Sequence, residues 1–196
     1  LMDEFDKQGM VVMDETRWFS SAPDCIEQLR TLVKRDRNHP SVIMWSVGNE
    51  EHYFITEQGA NIARTLRGEV LKLDKTRAIL TANDKKPEIC TVYDYSDIVG
   101  VNYNLNMFDI LHEKFPDKGI VSTECCATGT TRGWYEDESD EYAYINARDH
   151  AMNGWFMDRE TTWKFVSDRK WLMGAFQWIA FEHRGEATWP RVCSQS

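Results

Sequence analysis

An α/β fold built on a parallel sheet is what this sequence of 196 residues predicts, on three observations. Short apolar runs alternate with longer stretches whose apolar residues recur at helical spacing. The runs lack polar alternation, which is the habit of strands covered on both faces by helices. Acids or amides stand where several of these runs stop, as in residues 45–50 (WSVGNE), and parallel α/β sheets collect their chemistry at the carboxyl ends of their strands.

In order, residues 1–8 (LMDEFDKQ) place Leu1, Met2 and Phe5 on one helical face, and Gly9 suits a C-terminal cap. Residues 10–13 (MVVM) form a short buried strand closing on Asp14 and Glu15. Pro23 and Asp24 open a helix through Arg37, in which Ile26, Leu29, Leu32 and Val33 recur at helical spacing. His39 and Pro40 stop it, residues 41–46 (SVIMWS) make a strand, and Gly48 lets the chain turn once that strand is over, with Asn49 and Glu50 at its end. Residues 56–73 keep a helical period through Ile62, Leu66, Val70 and Leu73. Residues 77–82 (RAILTA) and 98–101 (IVGV) are further strands, the second running into Asn102, Tyr103 and Asn104. A helix over 108–115 is stopped by Pro116, and the strand 119–123 (GIVST) delivers Glu124. Residues 128–140 are polar, 149–165 hold a helix, and 173–181 (MGAFQWIAF) are the last strand, with Trp178 near its end.

Six strands in this rhythm suit either a doubly wound sheet or a (β/α)8 barrel. No glycine-rich phosphate loop follows any of them, which disfavours a nucleotide-binding sheet. A barrel lacking about two strands is the economical account, and residues 1–196 are read as one partial TIM-barrel catalytic domain. Because the helical pattern is already under way at Leu1, the chain is expected to be a piece of a longer protein with further domains, and an isolated fragment is expected to have little or no activity.

A net charge of -9 and a pI near 5.1 argue against a nucleic-acid partner, since nothing resembles a basic stripe. No apolar run approaches the length of a membrane span, so no membrane partner is expected, and localisation stays open. Eight Trp, seven Tyr and nine Phe are many for this length; most belong in the core, but aromatic faces also receive the C–H faces of sugar rings. Five cysteines (Cys25, Cys90, Cys125, Cys126, Cys193) form no CxxC pair and read as free thiols, and the five histidines have no metal-ligand spacing, so neither metal nor cofactor is expected.

Glu50 and Glu124 each follow a buried strand, and a barrel brings its strand ends to one mouth. Two carboxyls in different surroundings can serve as acid/base and nucleophile in glycoside cleavage. An exposed or helix-capping glutamate is the plainer reading of either alone, but the neighbourhood adds weight. Asn49 offers an amide for a sugar hydroxyl, and Tyr103 and Trp178 stand at strand ends where they could join the same cleft.

Residues 38–51 (NHPSVIMWSVGNEE) resemble the acid/base segment of glycoside hydrolase family 2, and with RDR before them they are similar to its β-galactosidase branch. Four more segments resemble that family in its order: VVMDETRWF, DIVGVNYN, VSTECCATGTTRGWY and MGAFQWIAFEHRGEATWP. The resemblance implies a fragment covering about strands 3 to 8 of the barrel, with Glu50 as general acid/base and Glu124 as nucleophile. It further implies that Asn49 contacts the sugar 2-hydroxyl, Tyr103 hydrogen-bonds the nucleophile and Trp178 floors the sugar subsite. The implied activity is that of a retaining exo-β-glycosidase, in the first place a β-galactosidase. β-Glucuronidase or another β-glycosidase of the family is the alternative, and so is a non-catalytic carbohydrate-binding remnant.

The departures from the family's pattern are informative too. Asp14-Glu15 runs into Thr16-Arg17-Trp18 without the E-x-H pair of the magnesium-dependent β-galactosidases, which implies no catalytic metal. Residues 181–196 lack the N-x-K motif of the β-glucuronidases. Glu182-His183 replaces the usual F-D-Y, and Cys125-Cys126 follow the nucleophile where small residues are common.

Overall fold

A computed structural model of the chain describes residues 1–126 and 157–178. Among these the predicted alternation is present, as six strands and five α-helices. Contacts divide the chain into two units, Leu1–Gly100 with Asp109–Ile120, and Val101–Phe108 with Val121–Ser196.

In the first unit β1 (Val12–Glu15), β2 (Val42–Asn49) and β3 (Ala78–Ala82) form a parallel sheet in that order. Helices α1 (Met2–Gln8), α2 (Pro23–Asp36) and α3 (Glu57–Leu71) alternate with the strands. Leu29 and Val33 of α2 and Leu66 and Val70 of α3 share one core with Trp45, Val47 and Ile79, all at most 2% exposed. Burying each such aliphatic side chain contributes roughly 1.5–3 kcal/mol. Trp45 is fully buried, and its indole N–H donates to Asp74 Oδ2 at 3.0 Å, so its one polar atom is satisfied. Since Trp45 and Val47 point toward the helices, strand alternation turns Met44 and Ser46 to the opposite face.

Local chemistry explains most of the boundaries. Gly9 caps α1 with φ 68°, a left-handed conformation that favours glycine. Pro23 opens α2 at its first turn, where its missing N–H costs nothing. The Thr56 hydroxyl caps α3 by accepting the Gly59 N–H at 3.0 Å. His39 is structural, as its position before β2 suggests: its Nδ1 lies 2.6 Å from Asp6 Oδ2, and Asp6 Oδ1 accepts the Ser41 N–H at 3.0 Å, tying α1 to the start of β2. The His39 hydrogen bond, joined by that from the Ser41 N–H, pulls the Asp6 carboxyl down to about 2.

Two expectations in this unit are corrected. The first strand is neither residues 10–13 nor buried: Met10 and Val11 are exposed, and β1 starts at Val12 and takes in Asp14 and Glu15. β2 does not end at Ser46 with a turn at Gly48; it runs on through Asn49, with a register irregularity between Ser46 and Asn49. Gly48 is used for close packing, because a Cβ there would lie 2.6 Å from Phe19 Cδ2. The chain turns at Glu50 instead. Two short 3-10 turns, His52–Ile55 and Tyr93–Tyr95, carry too few residues to show a period in the sequence.

The remaining strands, β4 (Val99–Asn102), β5 (Ile120–Cys125) and β6 (Leu172–Gln177), form a second sheet in that order. The Val99 N–H bonds to the Gly119 carbonyl and the Tyr103 N–H to the Glu124 carbonyl, so β4 and β5 advance together and are parallel. Helix α4 (Asn106–Lys114) starts two residues before the predicted position. Glu124 lies inside β5 rather than beyond it. β6, expected to be covered on both faces, instead alternates between more and less buried residues, with Met173 51% exposed.

Helix α5 (Arg159–Ser167) begins where Asp158 accepts the Thr161 N–H at 2.7 Å. Residues 157 and 158 are therefore not helical, and the earlier part of the helix predicted from 149 lies outside the described residues. So do the polar stretch 128–140, Glu182-His183, Cys193 and the end of the last predicted strand. No helix among the described residues is long and apolar enough to cross a membrane.

Candidate active site

In the first unit the site residues come from the end of β2. Asn49 is its last residue, paired in register with Ala82 of β3, and both Asn49 and Glu50 are half-buried. The Glu50 N–H still bonds to the Ala82 carbonyl at 3.0 Å, while its φ of 53° puts it in the left-handed region. That conformation costs a non-glycine residue roughly 1–2 kcal/mol. It persists because the ladder bond on one side and the Lys85 ammonium donating to the Glu50 carbonyl at 3.3 Å on the other hold the peptide. The strand thus ends abruptly, and Glu50 leaves it in a direction that strand alternation alone would not give.

In the second unit Glu124, Tyr103 and Trp178 meet at one end of the sheet. The Tyr103 hydroxyl donates to Glu124 Oε2 at 2.6 Å, and the Tyr103 N–H donates to the Glu124 carbonyl at 2.7 Å. Tyr103 is bonded to Glu124 twice, by backbone and by side chain, from a backbone with φ 58°. Behind this pair the Thr123 hydroxyl donates to the buried Asn102 Oδ1, pinning β4 to β5 one residue back. Trp178 follows β6 directly, and its N–H donates to the Cys125 carbonyl at 2.9 Å.

Cys125 and Cys126 are buried free thiols with their sulfurs 3.1 Å apart. The Cys126 sulfur, together with burial, pushes the Cys125 thiol well above its ordinary range, so it stays protonated. Cys126 is the third residue with positive φ, at 59°, and like Glu50 and Tyr103 it stands directly after a strand. Three strained non-glycine residues at strand ends are a mark of sites where geometry outranks local preference.

Sequence reasoning passed over two acids. Glu15, the last residue of β1, accepts the Ser46 hydroxyl on Oε2 at 2.6 Å, which follows from the Glu15–Ser46 register of β1 and β2. Burial pushes its carboxyl pKa up, Ser46 and Arg17 oppose that, and the charge of Glu50 adds to it. Asp14 points the other way, to Asp36 of α2, which Arg35 also holds at 2.8 Å. Burial and the Asp36 carboxyl push Asp14 up to about 7, and its Oδ2 is buried without a partner among the described residues. The DE dipeptide was the available signal; which acid faces which way needed the register. A further cluster, Asp3, Asp6 and His39, brings its ligand atoms within 4.8 Å of one another, but it sits at the start of β2, away from the strand ends, and the Asp6–His39 bond already accounts for it.

Parallel strands alternating with helices, with acids at strand ends in both units, define a parallel α/β scaffold of the barrel type. The chain belongs to glycosyl hydrolase family 2: the model of that family's TIM barrel domain matches residues 1–159. It is 26% identical to the β-galactosidase BoGH2A of Bacteroides ovatus over 97% of the chain, and 34% identical to the β-glucuronidase of Sus scrofa over 72% of the chain. The chain spans 30% of the length of the first relative and 26% of the second. A solved family 2 member from Bacteroides cellulosilyticus superposes with a TM-score of 0.66 at 32% identity, covering 93% of this chain and 22% of that one. A β-glucuronidase from Ruminococcus gnavus, with uronic isofagomine bound, shares the fold at a TM-score of 0.71 and 17% identity, over 97% of this chain and 39% of that one. The fold is therefore part of a (β/α)8 barrel.

Proposed function

We propose that residues 1–196 form part of the catalytic barrel of a retaining exo-β-glycosidase acting on β-galactosides, with Glu124 as nucleophile and Glu50 as general acid/base. The observation that carries this reading is the short bond from the Tyr103 hydroxyl to Glu124, in a chain that belongs to a glycosidase family. A donor held by its own backbone against one carboxylate oxygen favours the charged form of Glu124 and orients it. Glu124 bonds to the anomeric carbon as the aglycone oxygen departs with a proton from Glu50. Glu50, now charged, takes a proton from the water that releases the sugar, so configuration is retained. Asn49 binds the sugar 2-hydroxyl beside Glu50, and Trp178 offers its face to the ring. Two carboxyls suffice for this chemistry, and no cofactor is invoked. The shares of its relatives' lengths that the chain spans support further domains in the parent protein.

Galactoside is the favoured substrate because the relative matched over nearly the whole chain is named a β-galactosidase and residues 181–196 lack an N-x-K motif. Glucuronide is the second reading, supported by the more identical Sus scrofa relative over a shorter stretch. Hydrolysis of aryl β-galactoside, β-glucuronide and β-mannoside by the full-length protein separates them. Turnover of the galactoside with the β-anomer as first product is expected. Strong release from another sugar with none from galactoside overturns the substrate, and an α-anomer first product overturns the mechanism.

A further inference from the structure

We infer that Cys125 and Cys126 form a chelating dithiol for a thiophilic trivalent centre, an arsenic(III) compound of the arsenoxide class. This goes beyond the glycosidase reading and does not depend on the role of Glu124. Strand alternation puts Cys125 on the face of β5 opposite Glu124 and would return Cys126 to the side of Glu124. Instead, Cys126 leaves the strand with φ 59°, and both thiols are buried with their sulfurs 3.1 Å apart. Both cysteines line one cavity of about 250 Å³, together with Trp163 and Val166 of α5 and Ala175 of β6. An apolar cavity of about 150 Å³ is enough for a benzene ring. Trp163 is 71% exposed, so the lining continues to the surface.

Three properties of the pair select the ligand. Adjacent Cα atoms stand about 3.8 Å apart, short of the roughly 4.4–6.8 Å that disulfides favour, so the pair resists closing on itself. With bonds of about 2.3 Å to a common centre, sulfurs 3.1 Å apart subtend about 85° there. That near right angle suits pyramidal three-coordinate arsenic(III) and falls short of the tetrahedral angle that zinc takes. Contact with the Cys126 sulfur, and then burial, hold the Cys125 thiol well above its ordinary range, which disfavours a metal ion that needs two thiolates. An arsenoxide needs none. Two As–S bonds form, the As=O bond breaks, and the two thiol protons leave with the oxygen as one water. Arsenic stays trivalent, and no electrons are transferred. An aryl group on the arsenic is then received by Trp163, Val166 and Ala175.

The test uses the full-length protein, reduced and then freed of reductant, with phenylarsine oxide as the probe. Peptide mass analysis should find a phenylarsenic group on the peptide that contains Cys125 and Cys126. It should withstand excess 2-mercaptoethanol and leave with dithiothreitol, since only a dithiol replaces both bonds at once. Binding should be about tenfold or more tighter than to a peptide of residues 120–126, because the fold already holds the sulfurs together. Cys125→Ser and Cys126→Ser should each abolish retention while the unfolding temperature shows the fold intact. If neither variant folds, the parent protein decides: bound arsenical should protect both thiols from iodoacetamide added with denaturant. A label on other residues, equal binding to the peptide, or alkylation of both thiols in the treated parent overturns the inference. Activity is not the readout, so a failure of the galactosidase reading leaves this result standing.

Discussion

Glu50 and Glu124 are the same residue type at the ends of parallel strands, yet the two units hold them by different means. Glu124 is inside β5, its backbone in the ladder and its carboxylate bonded to Tyr103 at 2.6 Å. Glu50 is past the end of β2, with its backbone in the left-handed region and a second carboxyl, Glu15, in its field. A nucleophile needs to be charged and aimed, and hydrogen bonding within a regular strand supplies both. An acid/base must hold a proton and later give it up, which repulsion from a neighbouring carboxyl favours. If the proposed roles hold, the contrast is one of backbone conformation and neighbouring groups around one residue type.

The largest effect that would sharpen this contrast is on the nucleophile. Glu124→Gln is expected to lower kcat by about 10⁴-fold or more on every substrate, because the proposed glycosyl bond forms on its carboxylate. Activity near that of the parent protein would remove Glu124 from the mechanism and favour a carbohydrate-binding role. Glu50→Gln should cost about 10²–10⁴-fold for aglycones that need protonation, and much less in bond cleavage for a nitrophenol-like aglycone that leaves unaided. Equal losses for both kinds of leaving group would mean that Glu50 is not the acid. Tyr103→Phe removes one hydrogen bond to a charged oxygen, worth roughly 1.5–3 kcal/mol, so kcat/KM should fall about 10–100-fold while the strand remains.

The smallest effect is a control, since not every perturbed acid here belongs to the site. Asp14 has a folded-state pKa of about 7, above its ordinary 3.8, so the folded chain holds a proton that the unfolded chain has lost between those values. The resulting stability is fully present below about pH 4 and is lost as pH rises through about 7. Asp14→Asn should flatten that decline, worth on the order of 2 kcal/mol, when thermal unfolding is compared at about pH 5 and about pH 8. The pH–rate profile should keep its limbs. A moved limb would mean that Asp14, on the helix side of the strand, reaches the chemistry.

The strands and helices were legible because they rest on local signals: the apolar run of β2, the Leu29, Leu66 and Val70 periodicity, Gly9 as a cap and Pro23 as a start. Glu124 was placed just beyond a strand because the apolar run stops before it; pairing with the neighbouring strands carries β5 on to Cys125. Gly48 read as a turn, but its lack of a side chain serves Phe19, a contact from a distant segment that no window of sequence contains. The left-handed backbone of Glu50, Tyr103 and Cys126 was equally invisible, since these residues avoid that region when unconstrained. Of the candidate site, the residues could be named from their positions and from family resemblance, whereas the Tyr103–Glu124 bond and the Glu15–Ser46 pair required register.

The central claim is that Glu124 bonds to the sugar while Glu50 moves the proton. Trapping the intermediate tests it most directly: the full-length protein is incubated with a 2-deoxy-2-fluoro β-galactoside carrying a good leaving group, then digested for peptide mass analysis. The account predicts one added fluorosugar, on the peptide containing Glu124 and fragmenting at that residue. A sugar attached to Glu50 or to any other residue, or rapid turnover of ordinary galactosides without any trapped species, would contradict it.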